Sequence, residues 1–156
     1  MVTFIVTPLD MSKPTPNPLL QLENQLCFPL YAASRLFTKA YQPLLQELEL
    51  TYPQYLVLLL LWEHGELTVK ELGERLLLDS GTLTPLLKRL EQRALVSRRR
   101  DPRDERSVVI GLLPAGQALQ EKALCIPAAL QTRLQLSPEE FEALRAQLKQ
   151  LVAQLS

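Results

Sequence analysis

The stretch from Asp79 to Leu113, DSGTLTPLLKRLEQRALVSRRRDPRDERSVVIGLL, constrains this chain more than any other. Leu83, Leu86, Leu87 and Leu90 recur at helical spacing, which predicts a helix with one apolar face. Gly81, Thr84, Pro85, Lys88, Arg89 and Gln92 fall on the other side. Asp79 or Ser80 supplies an N-cap, and Pro85 lies early in the helix, where a missing N–H costs least. A strand pattern over 96–100, a turn-rich basic loop from Asp101 to Arg106 and a second strand over 107–112, carrying Val108, Val109 and Ile110, predict a β-hairpin.

The residues before this stretch complete a motif. Thr51 caps a helix with Pro53 in its first turn, running through YLVLLLLWEH to Gly65, and its apolar surface on all sides predicts burial. Thr68 caps a shorter helix from Val69 to about Leu76, with Val69, Leu72 and Leu76 inward, and Leu77 to Asp79 make the turn. Two short helices joined by a tight turn, followed by a basic hairpin, read as a winged helix-turn-helix. The expected class is mainly α with a small β-hairpin wing and a helical dimerisation arm built from both termini.

At 156 residues the chain suits one domain with such an arm. Residues 1–18, with four prolines, read as a loose tail in which Met11 is an alternative start. Residues 19–156 form the domain: the winged helix-turn-helix at about 52–113, and dimerisation helices at about 19–50 and 114–156. Leu22 to about Tyr41 predicts a long helix with a seam of Leu22, Leu26, Leu30, Ala33 and Phe37, interrupted at Pro29 and broken again near Pro43. Pro114 opens a later helix that Pro127 perturbs. Ser137-Pro138-Glu139-Glu140 is a capping box for a last helix whose stripe of Phe141, Leu144, Leu148, Leu151 and Leu155 is long enough to ask for a partner subunit.

The formal net charge is zero, but Lys88 to Arg106 holds eight basic residues (Lys88, Arg89, Arg93, Arg98, Arg99, Arg100, Arg103, Arg106) against four acids, a local excess suited to phosphate. Ser80, Thr82, Thr84, Lys88 and Arg89 are the expected DNA-facing residues of the recognition helix. Arg106, near the hairpin tip, suits the minor groove, with Asp104 orienting its guanidinium. A dimer would place two such helices about 34 Å apart on near-palindromic double-stranded DNA. Two cysteines are too few for a disulfide scaffold, the N-terminus lacks the basic start of a signal peptide, and the longest apolar run is far too short to span a bilayer, so a cytoplasmic, non-membrane protein is expected. One histidine excludes a histidine-rich metal site or a His-based triad within the chain, and neither metal nor cofactor is expected. On the residues alone, Cys27 reads as an inert packed thiol, since free cysteine packs as a small hydrophobe.

The segments LENQLCFPLYAASRLFTKAYQPLL, LTYPQYLVLLLLWEHGELTVKELGERLLLDSGTLTPLLKRLEQRALVSRRRDPRDERSV and LLPAGQAL resemble the MarR family of dimeric repressors, and within it the organic hydroperoxide resistance branch (OhrR), over roughly residues 20–130. The resemblance implies a homodimer that binds its operator when reduced and releases it when an organic hydroperoxide oxidises one cysteine, here Cys27. It implies that Tyr41 and Tyr52 hydrogen-bond that thiolate, and that Arg106 and Ser80 lie at the DNA face. Cys27 and Tyr41 are fourteen residues apart, about 21 Å along a continuous helix, so the tyrosines are expected from the partner subunit. If a helix restarts at Pro29, Cys27 lies near its N-terminus, where the dipole favours a thiolate. Many members of the branch trap the oxidised cysteine with a second one. That position falls on Thr132, seven residues from Cys125, so Cys125 serves as the resolving thiol only if its helix is shifted or reorganises on oxidation; otherwise a small cellular thiol caps Cys27. The rival readings are a MarR-type repressor released by a small aromatic ligand, with Cys27 incidental, and a thiol peroxidase, for which no second catalytic group accompanies Cys27.

Overall fold

The structure is a computed structural model that describes residues 17–102 and 104–156, the side chain of Glu105 excepted. All but the last two residues of the expected tail, the alternative start at Met11, and Arg103 of the basic run lie outside the described residues. The chain divides into two compact units, the first ending at Phe37 and the second running Thr38–Ser156.

In the first unit, two 3₁₀ turns, Pro18–Leu20 and Leu22–Asn24, precede helix α1 (Cys27–Gln46). Asn17 caps the first turn by accepting the Leu19 N–H at 3.0 Å. The Asn24 amide donates to the Pro18 carbonyl at 2.9 Å and the Gln25 amide to the Leu19 carbonyl at 2.5 Å. The Asn24 and Gln25 N–H groups bond three residues back, to the Gln21 and Leu22 carbonyls at 3.1 Å, in a 3₁₀ pattern, and α1 opens at Cys27, later than the leucine seam implies. Pro29 is therefore the third residue of α1, where its missing N–H has no intrahelical partner to lose, and it marks the start rather than a break. Pro43 is likewise accommodated inside α1, one turn from its end.

The second unit carries the end of α1 and every later element. A tight turn with Glu49 at φ 52° leads to α2 (Tyr52–His64). The buried Gln54 side chain accepts the Thr51 N–H at 2.9 Å, which satisfies the one buried polar residue found among the described ones. Gly65 (φ 79°) ends α2. A short strand β1 (Glu66–Thr68) follows, then α3 (Val69–Leu76), whose Thr68–Glu71 capping box is closed by hydrogen bonds of 2.7 and 3.1 Å. Leu77 takes the left-handed conformation (φ 55°) in the turn. Gly73 lets the Leu78 carbonyl approach, since a Cβ there would stand 2.8 Å from it. Then comes α4 (Ser80–Gln92), with Asp79 rather than Ser80 as its cap, accepting the Thr82 N–H at 2.8 Å.

Strands β2 (Val96–Asp101) and β3 (Asp104–Leu112) form the hairpin, which is longer than expected: Asp104 to Arg106 belong to β3, not to a loop. The sheet has three antiparallel strands in the order β1-β3-β2, with Glu66 opposite Gly111 and Arg99 opposite Val109. Strand β1 is too short to leave an alternating pattern, and it was not expected. Helices α5 (Pro114–Ala123), α6 (Ile126–Leu134) and α7 (Pro138–Leu155) complete the unit. Pro127 lies in the first turn of α6, so it starts a new helix where a perturbed one was expected.

The core joins α2, α3, α4, the sheet and α6 through Leu58, Leu61, Leu72, Leu87, Ile110 and Ile126. Arg93, at the end of α4, donates to the Leu48 carbonyl at 3.2 Å and to the Glu49 carbonyl, and pairs with the Glu49 carboxylate at 3.2 Å. The Trp62 indole donates to the Gly116 carbonyl at 3.0 Å, tying α2 to α5. By contrast α7 buries no residue: Leu144, Leu148 and Val152 keep between 43% and 49% of their surface exposed. Among the described residues no helix is long and apolar enough to cross a membrane.

Alanine ordinarily stabilises a helix relative to glycine by about 1 kcal/mol. Gly116→Ala should do the reverse, because its Cβ would lie 2.1 Å from the Leu95 carbonyl oxygen. A loss of about 1–3 kcal/mol is expected in urea unfolding. Unchanged or raised stability would mean that α5 is not pressed against Leu95.

Candidate nucleic-acid interface and thiols

The buried stripe of α4 decides what its other face offers. Leu83, Leu87 and Leu90 are fully buried, while Ser80, Thr82, Thr84, Lys88 and Arg89 are all exposed, so the five expected DNA-facing residues share the outward surface. Two of the hydroxyls are already engaged. Thr82 donates to the Asp79 carboxylate at 2.9 Å and Thr84 to the Ser80 carbonyl at 2.7 Å, leaving their oxygens as acceptors. The Thr82 N–H and hydroxyl hold the Asp79 carboxyl below the usual carboxylate range.

The basic run sorts in the same way. Arg93 is bound to the Glu49 turn, Arg98 lies 3.6 Å from Glu91 of α4, and Arg99 lies 2.5 Å from Glu66 of β1. Lys88, Arg89, Arg100 and Arg106 remain exposed without an ion pair among the described residues. Asp104 accepts the backbone N–H of Arg106 at 3.1 Å; this contact shapes the strand entry, where one to the guanidinium was expected.

A second cluster is aromatic. Tyr41, in the last third of α1, lies 4.8 Å from Tyr52 and 5.9 Å from Tyr55 between ring centroids, and Tyr55 meets Trp62 edge-on at 6.3 Å. Burial, with the neighbouring Tyr52 and Tyr55 hydroxyls, pushes the Tyr41 phenol up to about 12. Burial raises Tyr52 and Tyr55 as well, the latter also through Tyr52 and the Cys125 thiol. All three phenols are therefore protonated at neutral pH and able to donate hydrogen bonds. Tyr55 was missed from the sequence, although its place three residues after Tyr52 on α2 was a readable signal.

Both cysteines are free and exposed. Cys27 is the first residue of α1. Cys125 stands at the junction of α5 and α6, its thiol 3.4 Å from the Lys122 carbonyl. The flanking Leu124 and Pro127, with Tyr55, Leu59 and Trp62, line a cleft of about 470 Å³. Thr132 lies two turns further along α6, its hydroxyl donating to the Ala128 carbonyl at 3.0 Å.

A helix pair ordered as α3–α4, a polar outer face on the second helix and a basic hairpin beside it define a winged helix-turn-helix protein. The model of the MarR family matches residues 50–108, which span this motif. The organic hydroperoxide resistance transcriptional regulator of Bacillus subtilis is 55% identical over 136 residues, 87% of this chain and 92% of that one. Reduced AbfR bound to DNA, a Staphylococcus epidermidis protein, superposes with a TM-score of 0.70 at 41% identity, covering 86% of this chain and 94% of its own. Disulfide-formed AbfR superposes with a TM-score of 0.58 at 44% identity, over 84% and 92% of the two chains. This chain belongs to the MarR family.

Absorbance titration of the tyrosines should show one phenolate step near pH 12 that disappears in Tyr41→Phe. Because the folded value lies above the unfolded one, near 10, this group's contribution to stability is intact below pH 10 and is lost as pH climbs toward 12. All four tyrosines titrating together near pH 10 would contradict the buried cluster.

Proposed function

We propose that the chain is a homodimeric transcriptional repressor that binds a near-palindromic operator when reduced, and that oxidation of Cys27 by an organic hydroperoxide releases it. The observation that carries this reading is the exposed Cys27 thiol at the opening of α1, in a chain 55% identical to an organic hydroperoxide resistance regulator. The end of a helix at which backbone N–H groups lack partners favours an anion. Phe28 and Leu30 beside the thiol provide apolar surface for an organic peroxide. The thiolate attacks the peroxide O–O bond, leaving Cys27 as a sulfenic acid and the peroxide as an alcohol.

Helix α1 is unbroken, with fourteen residues, about 21 Å, between Cys27 and Tyr41. The hydrogen-bonding phenols for each Cys27 are therefore the partner's Tyr41 and Tyr52. Dimerisation also covers the exposed leucines of α7 and of the first unit. DNA is held by Ser80, Thr82, Thr84, Lys88 and Arg89 in the major groove and by Arg106 at the wing, with Asp104 shaping the backbone that carries it. The protein works in the cytoplasm, where thiols are kept reduced until peroxide arrives. Cys125 is the resolving thiol: it attacks the Cys27 sulfenic acid of the other subunit, forming a disulfide and releasing water. Its support is its exposure and its place beside Tyr55, next to the tyrosines that serve Cys27. Reaching Cys27 from that junction requires the α5–α6 corner to shift, since a disulfide needs Cα atoms within about 7 Å.

Operator binding by wild type and Cys27→Ser, with and without an organic hydroperoxide, tests the sensor. Wild type should lose DNA by more than about tenfold in affinity, a change of about 1.4 kcal/mol, while Cys27→Ser stays bound. Equal loss from both proteins would remove Cys27 as the sensor. On non-reducing gels, peroxide-treated wild type should run as a covalent dimer and Cys125→Ala as a monomer. A dimer band that survives Cys125→Ala, or no band at all, would leave Cys125 without this role.

A further inference from the structure

We infer that Glu66, a residue of the unexpected strand β1, is a positioning residue for DNA recognition, holding the wing at a fixed angle to the helix-turn-helix through Arg99. The inference rests on the DNA-binding reading above. Strands β1 and β2 share no backbone hydrogen bonds, because β3 lies between them. Their residues Glu66 and Arg99 nevertheless meet, with 2.5 Å between the carboxylate and guanidinium. The bridge crosses β3 over Gly111, which faces Glu66 on one side and Ser97 on the other. Gly111 leaves room for the crossing: a Cβ there would lie 2.9 Å from a Glu66 carboxylate oxygen as it is placed.

What the bridge joins gives it a purpose. Thr68, two residues after Glu66, caps α3, the first helix of the helix-turn-helix. Arg99 lies midway along the strand that leads to the wing tip. On the same strand, Arg98 reaches Glu91 of α4 at 3.6 Å. The wing is thus braced by neighbouring residues, one toward α4 and one toward the segment that launches α3. A reader that touches DNA with both a helix and a wing depends on the angle between them, because phosphate contacts fix register only when they engage together. An acid at the base of a DNA-facing wing is otherwise a liability, since it repels phosphate.

The two roles predict opposite signs. A bystander acid, once neutralised, leaves DNA affinity unchanged or raises it. Glu66→Gln is expected instead to weaken binding to a duplex selected from a random pool by the reduced wild-type protein, by about fivefold or more, roughly 1 kcal/mol. Affinity for a scrambled duplex of the same composition should hold or rise. Exposed ion pairs add little to global stability, so the melting temperature should stay near that of wild type. The charge-exchanged double variant Glu66→Arg/Arg99→Glu should recover most of the lost discrimination. Equal or tighter binding of the selected duplex by Glu66→Gln overturns the inference. So does a parallel loss on both duplexes with no recovery in the double variant, which would mark a general structural defect. If the reduced wild-type protein enriches no sequence, the DNA-binding reading falls first and takes this inference with it.

Discussion

Leu83, Leu87 and Leu90 are fully buried along one side of α4, and the rest of the reading surface follows from their burial. They pack into the cluster that holds Leu58 and Leu61 of α2, Leu72 of α3 and Ile110 of β3. Truncating any one of them to alanine removes about 2–5 kcal/mol, a large part of what a small domain has in reserve. A helix pinned along that stripe has one rotational setting. Ser80, Thr82, Thr84, Lys88 and Arg89 then point outward because no alternative setting is open to them. The Asp79 cap fixes where the helix starts, and Arg93 fixes its far end to the turn after α1.

Much of this was legible because local rules agreed with one another. The leucine spacing, the Thr51, Thr68 and Ser137 caps, the glycine after His64 and the paired β-branched residues of the wing each named an element that the structure contains. What escaped was short, or decided by distant partners. Strand β1 has three residues and exists only because β3 offers it an edge. The start of α1 lies later than the spacing implies because the Asn24 and Gln25 N–H groups close 3₁₀ bonds onto Gln21 and Leu22, a choice that hydrophobic spacing does not report. Pro29 lies in the opening turn of α1, in keeping with the restart that was one of its two readings, whereas the breaks expected at Pro43 and Pro127 are a proline absorbed in the last turn of α1 and one that opens α6.

The site was legible in part. The outward face of α4 could be read from periodicity alone. The fate of the basic run could not, because pairing of Arg93, Arg98 and Arg99 with Glu49, Glu91 and Glu66 depends on tertiary neighbours far away in the chain. A charge count over the segment therefore overstates what is available to phosphate. The phenols teach a similar lesson. Tyr41 and Tyr52 were named through a resemblance, but the place of Tyr55 beside them and the raised pKa of all three phenols come from packing.

In the DNA-binding reading proposed above, the hydroxyls of Thr82 and Thr84 bear on which bases the face of α4 would suit. Each has spent its only proton on the protein, on Asp79 in one case and the Ser80 carbonyl in the other. An oxygen in that state accepts and does not donate. In the major groove the groups that donate are the exocyclic amines of adenine and cytosine, whereas guanine and thymine present carbonyl oxygens at the matching positions. In the proposed DNA-binding reading, these two side chains, held as they are, would suit amine rather than keto edges, a preference set by hydrogen bonds within the protein before any base arrives.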